Sequence, residues 1–413
     1  MFSSLRSIIF FSIFLGGVFS GGSFAEASSW WDVQAIDTMK YSRDLSREKL
    51  HDASFDLEIR AQMKRIAQTG ATHVSIATPY DKEFIPMLKK WVAAARAEKL
   101  HVWFRGNWSG WEGWFGYSRI TQDEHIQNTK QFLHDHKNLF EDGDIFSACP
   151  ECENGGPGDP RATGDVLGYR NFIIEEHEMV KNIFRAMGKD VASNWQSMNA
   201  DVARVVMDKE TTRAMDGLVV IDHYVRDPRQ ITKDVEQIAR QSEGKVALGE
   251  FGAPIPDIHG AMSEVQQAAW VESALHDLAR SPYVVGVSYW TNMLGSTKLW
   301  NDNGSPRLVV DVLKKYYIPR EIHGTITSRW GRKIRNVQIV SSEEVSTATD
   351  KDGAFALSYL DLPLDIAVNH EGYEGVVRRV VTENKDEPVQ IRLIPEKFFT
   401  TFRLLFCGFF WSC

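Results

Sequence analysis

The sequence predicts an α/β fold: a (β/α)8 TIM barrel followed by a small all-β sandwich. From Trp30 to about Tyr317, strand-like runs rich in Val and Ile alternate with amphipathic helical stretches. Eight such units fit in fewer than 300 residues, the scale of a closed parallel barrel. Past Pro319 the helical period disappears and short alternating runs separated by turns replace it, as in a sandwich. An open doubly wound sheet is the competing architecture. No Gly-rich turn follows the first strand, as dinucleotide binding would require.

The chain begins with a segment that reads as a secretory signal over residues 1–25. Arg6 gives a positive start, residues 8–15 form an apolar core, and Ser23-Phe24-Ala25 is a small-x-small cleavage site. The core is too short for an ordinary transmembrane helix. Cleavage removes Arg6 and no acid, leaving a mature charge of about -9. The expected location is secreted, periplasmic or cell-surface.

The barrel is expected over 30–318. Its strands are read at 33–40, 72–77, 100–105, 144–149, 190–194, 217–223, 245–249 and 284–289. Helical stretches are read at 57–67, 84–97, 123–136, 167–187, 231–241 and 265–279. Val- and Ile-rich strands separated by helices imply parallel pairing through crossovers. The sandwich is expected over 320–394, with runs such as Gly324-Thr-Ile-Thr, Ala354-Phe-Ala-Leu and Leu364-Asp-Ile-Ala-Val, and turns at Asp350-Lys-Asp-Gly353 and His370-Glu-Gly. Residues 395–413 are an apolar, aromatic tail with no assigned role. Membrane contact is expected only through this tail or an uncleaved signal.

A chain of 413 residues, 43% hydrophobic, can build one large core and a small second domain. The net charge of -8 offers no basic footprint, so no nucleic acid is expected as a partner. Four cysteines in a chain this size do not make a disulfide scaffold. Cys149-Pro-Glu-Cys152 could be a redox pair or half a zinc site. It lacks a second zinc half nearby, and no helix N-terminus stands close behind it. An incidental or locally bridged pair is the favoured reading. His125, His134, His136, His177 and His276 fall on helices with no metal-like spacing and are read as surface residues.

Two glutamates occupy matching positions. Glu151 follows Asp144-Ile-Phe-Ser-Ala-Cys-Pro, and Glu250 follows Lys245-Val-Ala-Leu-Gly. Each ends an apolar strand-like run, which in a parallel barrel puts it at the functional rim. A facing pair of carboxyls is what glycosidic bond cleavage needs. A single acid at a strand end is commonly a solvated loop residue; two at matching ends point to chemistry. Strand 6 finishes Asp222-His223-Tyr224, strand 5 Asn194-Trp195-Gln196, and strand 8 Tyr289-Trp290-Thr291. The run Trp103-Phe-Arg105-Gly-Asn107-Trp108-Ser-Gly-Trp111-Glu-Gly-Trp114 fits neither helix nor strand periodicity. Flat aromatic faces among polar groups suit pyranose rings. A loop that staples itself with aromatics is the competing reading. Arg105 could bind a sugar or hold a catalytic carboxylate. Tyr80-Asp81 and Arg43 are weaker candidates for the same mouth.

At these residues the chain resembles the clan A glycoside hydrolases, the cellulase and mannanase superfamily. That clan carries its acid/base at the end of strand 4, usually as Asn-Glu-Pro, and its nucleophile at the end of strand 7, often as Glu-Phe-Gly. Glu250-Phe251-Gly252 matches. Glu151 occupies the acid/base slot, but Pro150 replaces the Asn that contacts the sugar 2-hydroxyl, and Cys152 replaces the Pro; Glu153 is the alternative acid. The resemblance implies an exported, retaining hydrolase of β-linked glycans, with an oligo- or polysaccharide substrate and no cofactor or metal. It implies catalytic Glu151 and Glu250 and a site lined by His223, Tyr224 and Trp290, while Arg105, Trp108, Trp111 and Asn194 are substrate-contact candidates from their own chemistry. In the clan the Tyr hydroxyl contacts the nucleophile and the Trp stacks on the sugar. The alternative is a non-catalytic carbohydrate-binding or cell-surface protein that keeps the groove after losing turnover. A metal or redox enzyme built on Cys149 and Cys152 is a third reading. The sandwich resembles the carboxypeptidase regulatory-like domain, through Gly324-Thr-Ile326, Asp350-Lys-Asp-Gly353-Ala-Phe355 and Gly372-Tyr373.

Overall fold

The computed structural model describes residues 29–396, apart from 344 and 382–387. The expected signal and most of the apolar tail lie outside the described residues. Eight strands form one parallel sheet: β1 Val33–Asp37, β2 His73–Ile76, β3 His101–Phe104, β4 Ile145–Phe146, β5 Ser197–Asn199, β6 Leu218–Asp222, β7 Lys245–Phe251 and β8 Val284–Tyr289. Their order is β4-β3-β2-β1-β8-β7-β6-β5. The two ends meet through an isolated parallel bridge between Ile145 and Ala192, so the sheet curls into a (β/α)8 barrel.

Side-chain alternation builds two cores. Val33, Ala35, Trp103, Ile145, Trp195, Val220 and Ala247 fill the interior. Ile36, Val74, Phe104, Phe146, Ile221 and Leu248 face the helix layer, because successive residues of a strand point to opposite faces. Helices at Phe55–Ala67, Ile85–Ala97, Gln122–Asp135, Val166–Met187, Pro228–Ser242 and Glu264–Leu278 lie where the apolar period puts them. Their starts are set by local chemistry. Thr121 and Glu124 form a capping box, as do Ser263 and Gln266, which satisfies first-turn N–H groups. Helices Ala200–Val206, Lys209–Ala214 and Leu308–Tyr317 were not among the sequence expectations.

Strand 5 departs from expectation. Residues 190–192 bond to the β4 segment through Phe146 N–H to the Ala192 carbonyl, 2.8 Å, and Ala192 N–H to the Asp144 carbonyl, 2.9 Å. Pairing with β6 starts only at Ser197. Between them Trp195 turns into the barrel and packs edge-on to Trp103, with ring centroids 5.0 Å apart. Gly286 on β8 makes room, since a Cβ there would meet the Trp195 ring at 2.5 Å. The rim end of strand 5 is therefore Asn199, not Asn194.

A third core belongs to the sandwich. Strands β9 Arg320–Ser328, β10 Gln338–Ser341, β11 Ser346–Ala348, β12 Ala354–Tyr359, β13 Leu364–Asn369, β14 Val376–Val380 and β15 Val389–Leu393 form two sheets, β11-β10-β13-β14 and β12-β9-β15. Their inward residues, among them Ile326, Ile339, Phe355, Ile366 and Leu393, pack together. No helix among the described residues is long and apolar enough to cross a membrane.

Candidate active site

The C-terminal strand ends converge on one guanidinium. Arg105, just past β3, is buried. Its Nη1 donates to Glu250 Oε1 at 3.0 Å, to the Gly249 carbonyl at 3.0 Å and to Asp37 Oδ2 at 3.5 Å. Its Nη2 donates to Asp222 Oδ2 at 2.9 Å and to Ser197 Oγ at 3.0 Å. Its terminal nitrogens are thus committed to the protein, and it positions carboxylates rather than lying open to a sugar. The single cation faces more acid than it can neutralise. Burial raises Asp37 to about 7, Arg105 opposes the rise and Glu250 adds to it. Burial also holds Asp222 well above the ordinary carboxylate range, against Arg105 and with help from Glu250.

Glu250 reaches this cluster through a β-bulge. Ile221 pairs with Leu248, but the next residue, Asp222, pairs with Glu250. Gly249 is the extra residue, so the usual alternation is broken and Glu250 turns inward. A Cβ at Gly249 would meet Asp222 Oδ1 at 2.3 Å, which leaves glycine as the residue that fits. Glu250 is then gripped on both oxygens, because the Tyr224 hydroxyl donates to Oε2 at 2.8 Å. Trp290, past β8, stands edge-on to Tyr224 with ring centroids 6.1 Å apart. It is partly exposed.

Glu151 lies beyond β4 in a tight turn, with φ at +47°. Its N–H donates to the Ser197 carbonyl at 2.8 Å, and Asn154 Nδ2 donates to its Oε1 at 3.0 Å. Oxygens of Glu151, Asp222 and Glu250 all lie within 4.8 Å of one another. Burial, then Glu250 and Asp222, hold the Glu151 carboxyl well above its ordinary value, the condition of a group that keeps its proton. Glu153 is spent elsewhere. It is fully buried, accepts from the Asn199 backbone and side chain at 2.6 and 2.9 Å, and from the Tyr169 hydroxyl at 2.9 Å. It ties the acid loop to the end of β5.

Four other expected substrate contacts move away from the mouth. Trp111 is fully buried, stacked on Phe172 at 5.4 Å, and donates to the Cys152 carbonyl at 3.0 Å. Trp108 gives its indole N–H to Thr129 Oγ1 at 3.0 Å and packs on Tyr80 and Phe132. These two staple the loop. Asn194 lines a cavity with Lys181, Arg185, Lys189 and Asp216, because strand 5 is displaced. His223 faces outward, Nε2 to Asp234 Oδ2 at 2.7 Å, and burial lowers its pKa. Alternation accounts for this: Asp222 and Tyr224 face in, His223 out. Tyr80 bonds the Ser147 carbonyl at 3.2 Å, and Asp81 accepts from the Ser109 N–H at 2.9 Å. Arg43 lies over the Trp114 ring at 4.5 Å. His125 and His177 are buried rather than on the surface; His125 bonds Glu176 and Asn107 at 2.7 and 2.8 Å.

Sequence reading missed Asp37, Asp222, Asn154 and Asn199 as members of the site. Asp37 and Asp222 end the observed strands β1 and β6, whereas the expected strands 33–40 and 217–223 ran past them and hid that position. The carboxylates of Glu151, Asp222 and Glu250 are close enough to meet a cation, but Arg105 already supplies positive charge to two of them. Cys149 and Cys152 are joined in a disulfide, and in that state they offer no thiolate to a metal.

No family model matches the sequence, and no curated protein matches it. Solved structures do resemble it. A GH5_18 variant from Bifidobacterium longum subsp. longum in complex with Manb1-4GlcNAc superposes with a TM-score of 0.50 at 12% identity, covering 73% of this chain and 84% of that one. An FMN-binding β-glucuronidase from Facaelibacterium prausnitzii superposes with a TM-score of 0.50 at 9% identity, covering 88% of this chain and 57% of that one. The likeness is one of fold.

Proposed function

We propose that the protein is a retaining glycoside hydrolase acting on β-linked glycans, with Glu250 as nucleophile and Glu151 as acid/base. The observation that carries this is the approach of the Glu151 and Glu250 carboxylate oxygens to within 4.8 Å. Retaining enzymes hold their two carboxyls about 5–5.5 Å apart, whereas inverting ones leave room for a water. Glu250, aimed by Arg105 and Tyr224, attacks the anomeric carbon. Glu151, which burial and its anionic neighbours keep protonated, gives its proton to the departing oxygen. The products of this step are the free leaving group and a glycosyl ester on Glu250. That ester removes the neighbouring negative charge, the Glu151 pKa falls, and Glu151 takes a proton from the water that cleaves the ester. Trp290 is the proposed platform under the sugar.

The binder alternative drew on the altered Pro150-Glu151-Cys152 motif. The position of Glu151 opposite Glu250 favours turnover despite that change. We place the reaction outside the cytoplasm, supported by the signal-like N-terminus and the Cys149–Cys152 disulfide, since such bonds persist in oxidising compartments. No cofactor enters the proposed steps.

Inactivation with a panel of 2-fluoro-glycosyl fluorides, followed by peptide mass spectrometry, tests the assignment. The label is expected on Glu250. Covalent label on another residue would overturn the nucleophile assignment, and binding of oligosaccharide with no turnover of any aryl glycoside would favour the binder. Glu151→Gln is expected to slow substrates with poor leaving groups by roughly 100-fold or more, while 2,4-dinitrophenyl glycosides lose far less. Equal losses would remove Glu151 from the acid role. Tyr224→Phe removes a hydrogen bond to a charged acceptor, about 1.5–3 kcal/mol, so kcat/KM is expected to fall roughly 10- to 100-fold. An unchanged rate would show that the phenol does not aim Glu250.

A further inference from the structure

The loop that carries Glu151 is closed on itself by the Cys149–Cys152 disulfide, whose Cα atoms are 5.1 Å apart. The residue inside this small ring that matters is Glu151, and it adopts a left-handed backbone conformation. Such a conformation is disfavoured for a side chain with a Cβ and persists only where the surroundings enforce it. Here they do so from several sides. Gln196 Oε1 accepts from the Cys149 N–H at 3.2 Å, Trp111 donates to the Cys152 carbonyl at 3.0 Å, and the Glu151 N–H is held by the Ser197 carbonyl. Both cysteines are buried. Without the covalent link those hydrogen bonds alone hold the disfavoured turn, and relaxation toward the right-handed region is the expected result. That rotation would swing the Glu151 side chain away from Glu250.

We propose that Cys149 and Cys152 are positioning residues: their disulfide locks Glu151 in the geometry that lets it act on the glycosidic oxygen, and so makes the acid step depend on the oxidised state of the loop. This rests on the hydrolase reading above. Reduction by a dithiol breaks the S–S bond, yields two cysteine thiols and converts the dithiol to its cyclic disulfide. Exchange with an added low-molecular-weight disulfide re-forms the bond, and that disulfide leaves as two thiols. Glu250, on β7 and held by Arg105 and Tyr224, is not part of this ring and keeps its place.

The test uses the Cys149→Ser/Cys152→Ser double variant, checked for native circular dichroism, with aryl glycosides of the sugar that the native protein turns over. Loss of the acid step is expected to lower kcat roughly 100-fold or more on poor leaving groups and less than about 10-fold on dinitrophenyl ones. The alkaline limb of the pH profile is expected to move to lower pH as Glu151 leaves its anionic neighbours. A purely structural role predicts equal losses on both substrates and an unmoved limb, and either that outcome or native rates would overturn the proposal. If the double variant does not fold, the native protein is reduced with dithiothreitol. Two titratable thiols accompanied by reversible loss of activity on poor leaving groups support the lock; two thiols with full activity overturn it. Native turnover with unaffected variants sinks the lock alone. A native protein that hydrolyses no glycoside sinks both readings.

Discussion

Glu250→Ala is expected to abolish hydrolysis, with kcat/KM on an activated aryl glycoside falling by roughly 10⁴-fold or more. The side chain has a donor on each oxygen, Arg105 on one and Tyr224 on the other. Those two donors aim it at a fixed point, and truncation removes the one carboxylate they aim. Added azide should restore part of the rate and give a glycosyl azide, because the space vacated by the carboxylate admits a small nucleophile. Chromatography of the azide product checks this. Normal hydrolysis by the variant would remove Glu250 from the mechanism.

The second large effect is expected at Arg105. Replacing it with Met leaves Asp37, Asp222 and Glu250 buried around an apolar side chain. Removing one partner of a buried ion pair costs about 3–5 kcal/mol, and here one guanidinium serves three acids. The loss should depend on pH. Asp37 is already raised from 3.8 to about 7, with burial as the first cause. The folded protein thus keeps a proton that the unfolded chain gives up, so this contribution weakens stability as pH rises from about 4 through 7. Without Arg105 the carboxyls should bind protons still more tightly, and the decline should be steeper and reach higher pH. Urea unfolding at pH 5 and pH 8 reads this directly. The same loss at both values would mean that the acids do not rely on the guanidinium.

The barrel was legible because parallel strands with both faces covered are written as Val- and Ile-rich runs, and their helices carry their own caps. Glu250 and Tyr224 were legible for a related reason: each sits at the end of a long apolar strand. What the sequence concealed came from departures from regular geometry. The bulge at Gly249 decides that Glu250 faces the interior, and nothing local announces a bulge except a glycine. Strand 5 was read one segment early because Trp195, an interior filler, looks like the end of an apolar run; this shifted attention from Asn199 to Asn194. His223 was assigned to the mouth although it sits between two inward-facing residues of one strand. Trp108 and Trp111 show the limit of composition: the same indoles that suit a sugar also suit a buried loop, and their neighbours in space, Thr129 and Phe172, come from distant helices.

The barrel closes between β4 and β5 through one bridge and a few backbone bonds, whereas β7 and β8 are paired along much of their length. A cylinder with one thin join should breathe there first. Amides of residues 145–146 and 192 should exchange with solvent sooner than those of β7, if local opening follows the density of paired backbone. The join lies under the turn that bears Glu151. One glutamate thus rides on the seam and the other on the solid wall, so the two are expected to differ in how freely they move.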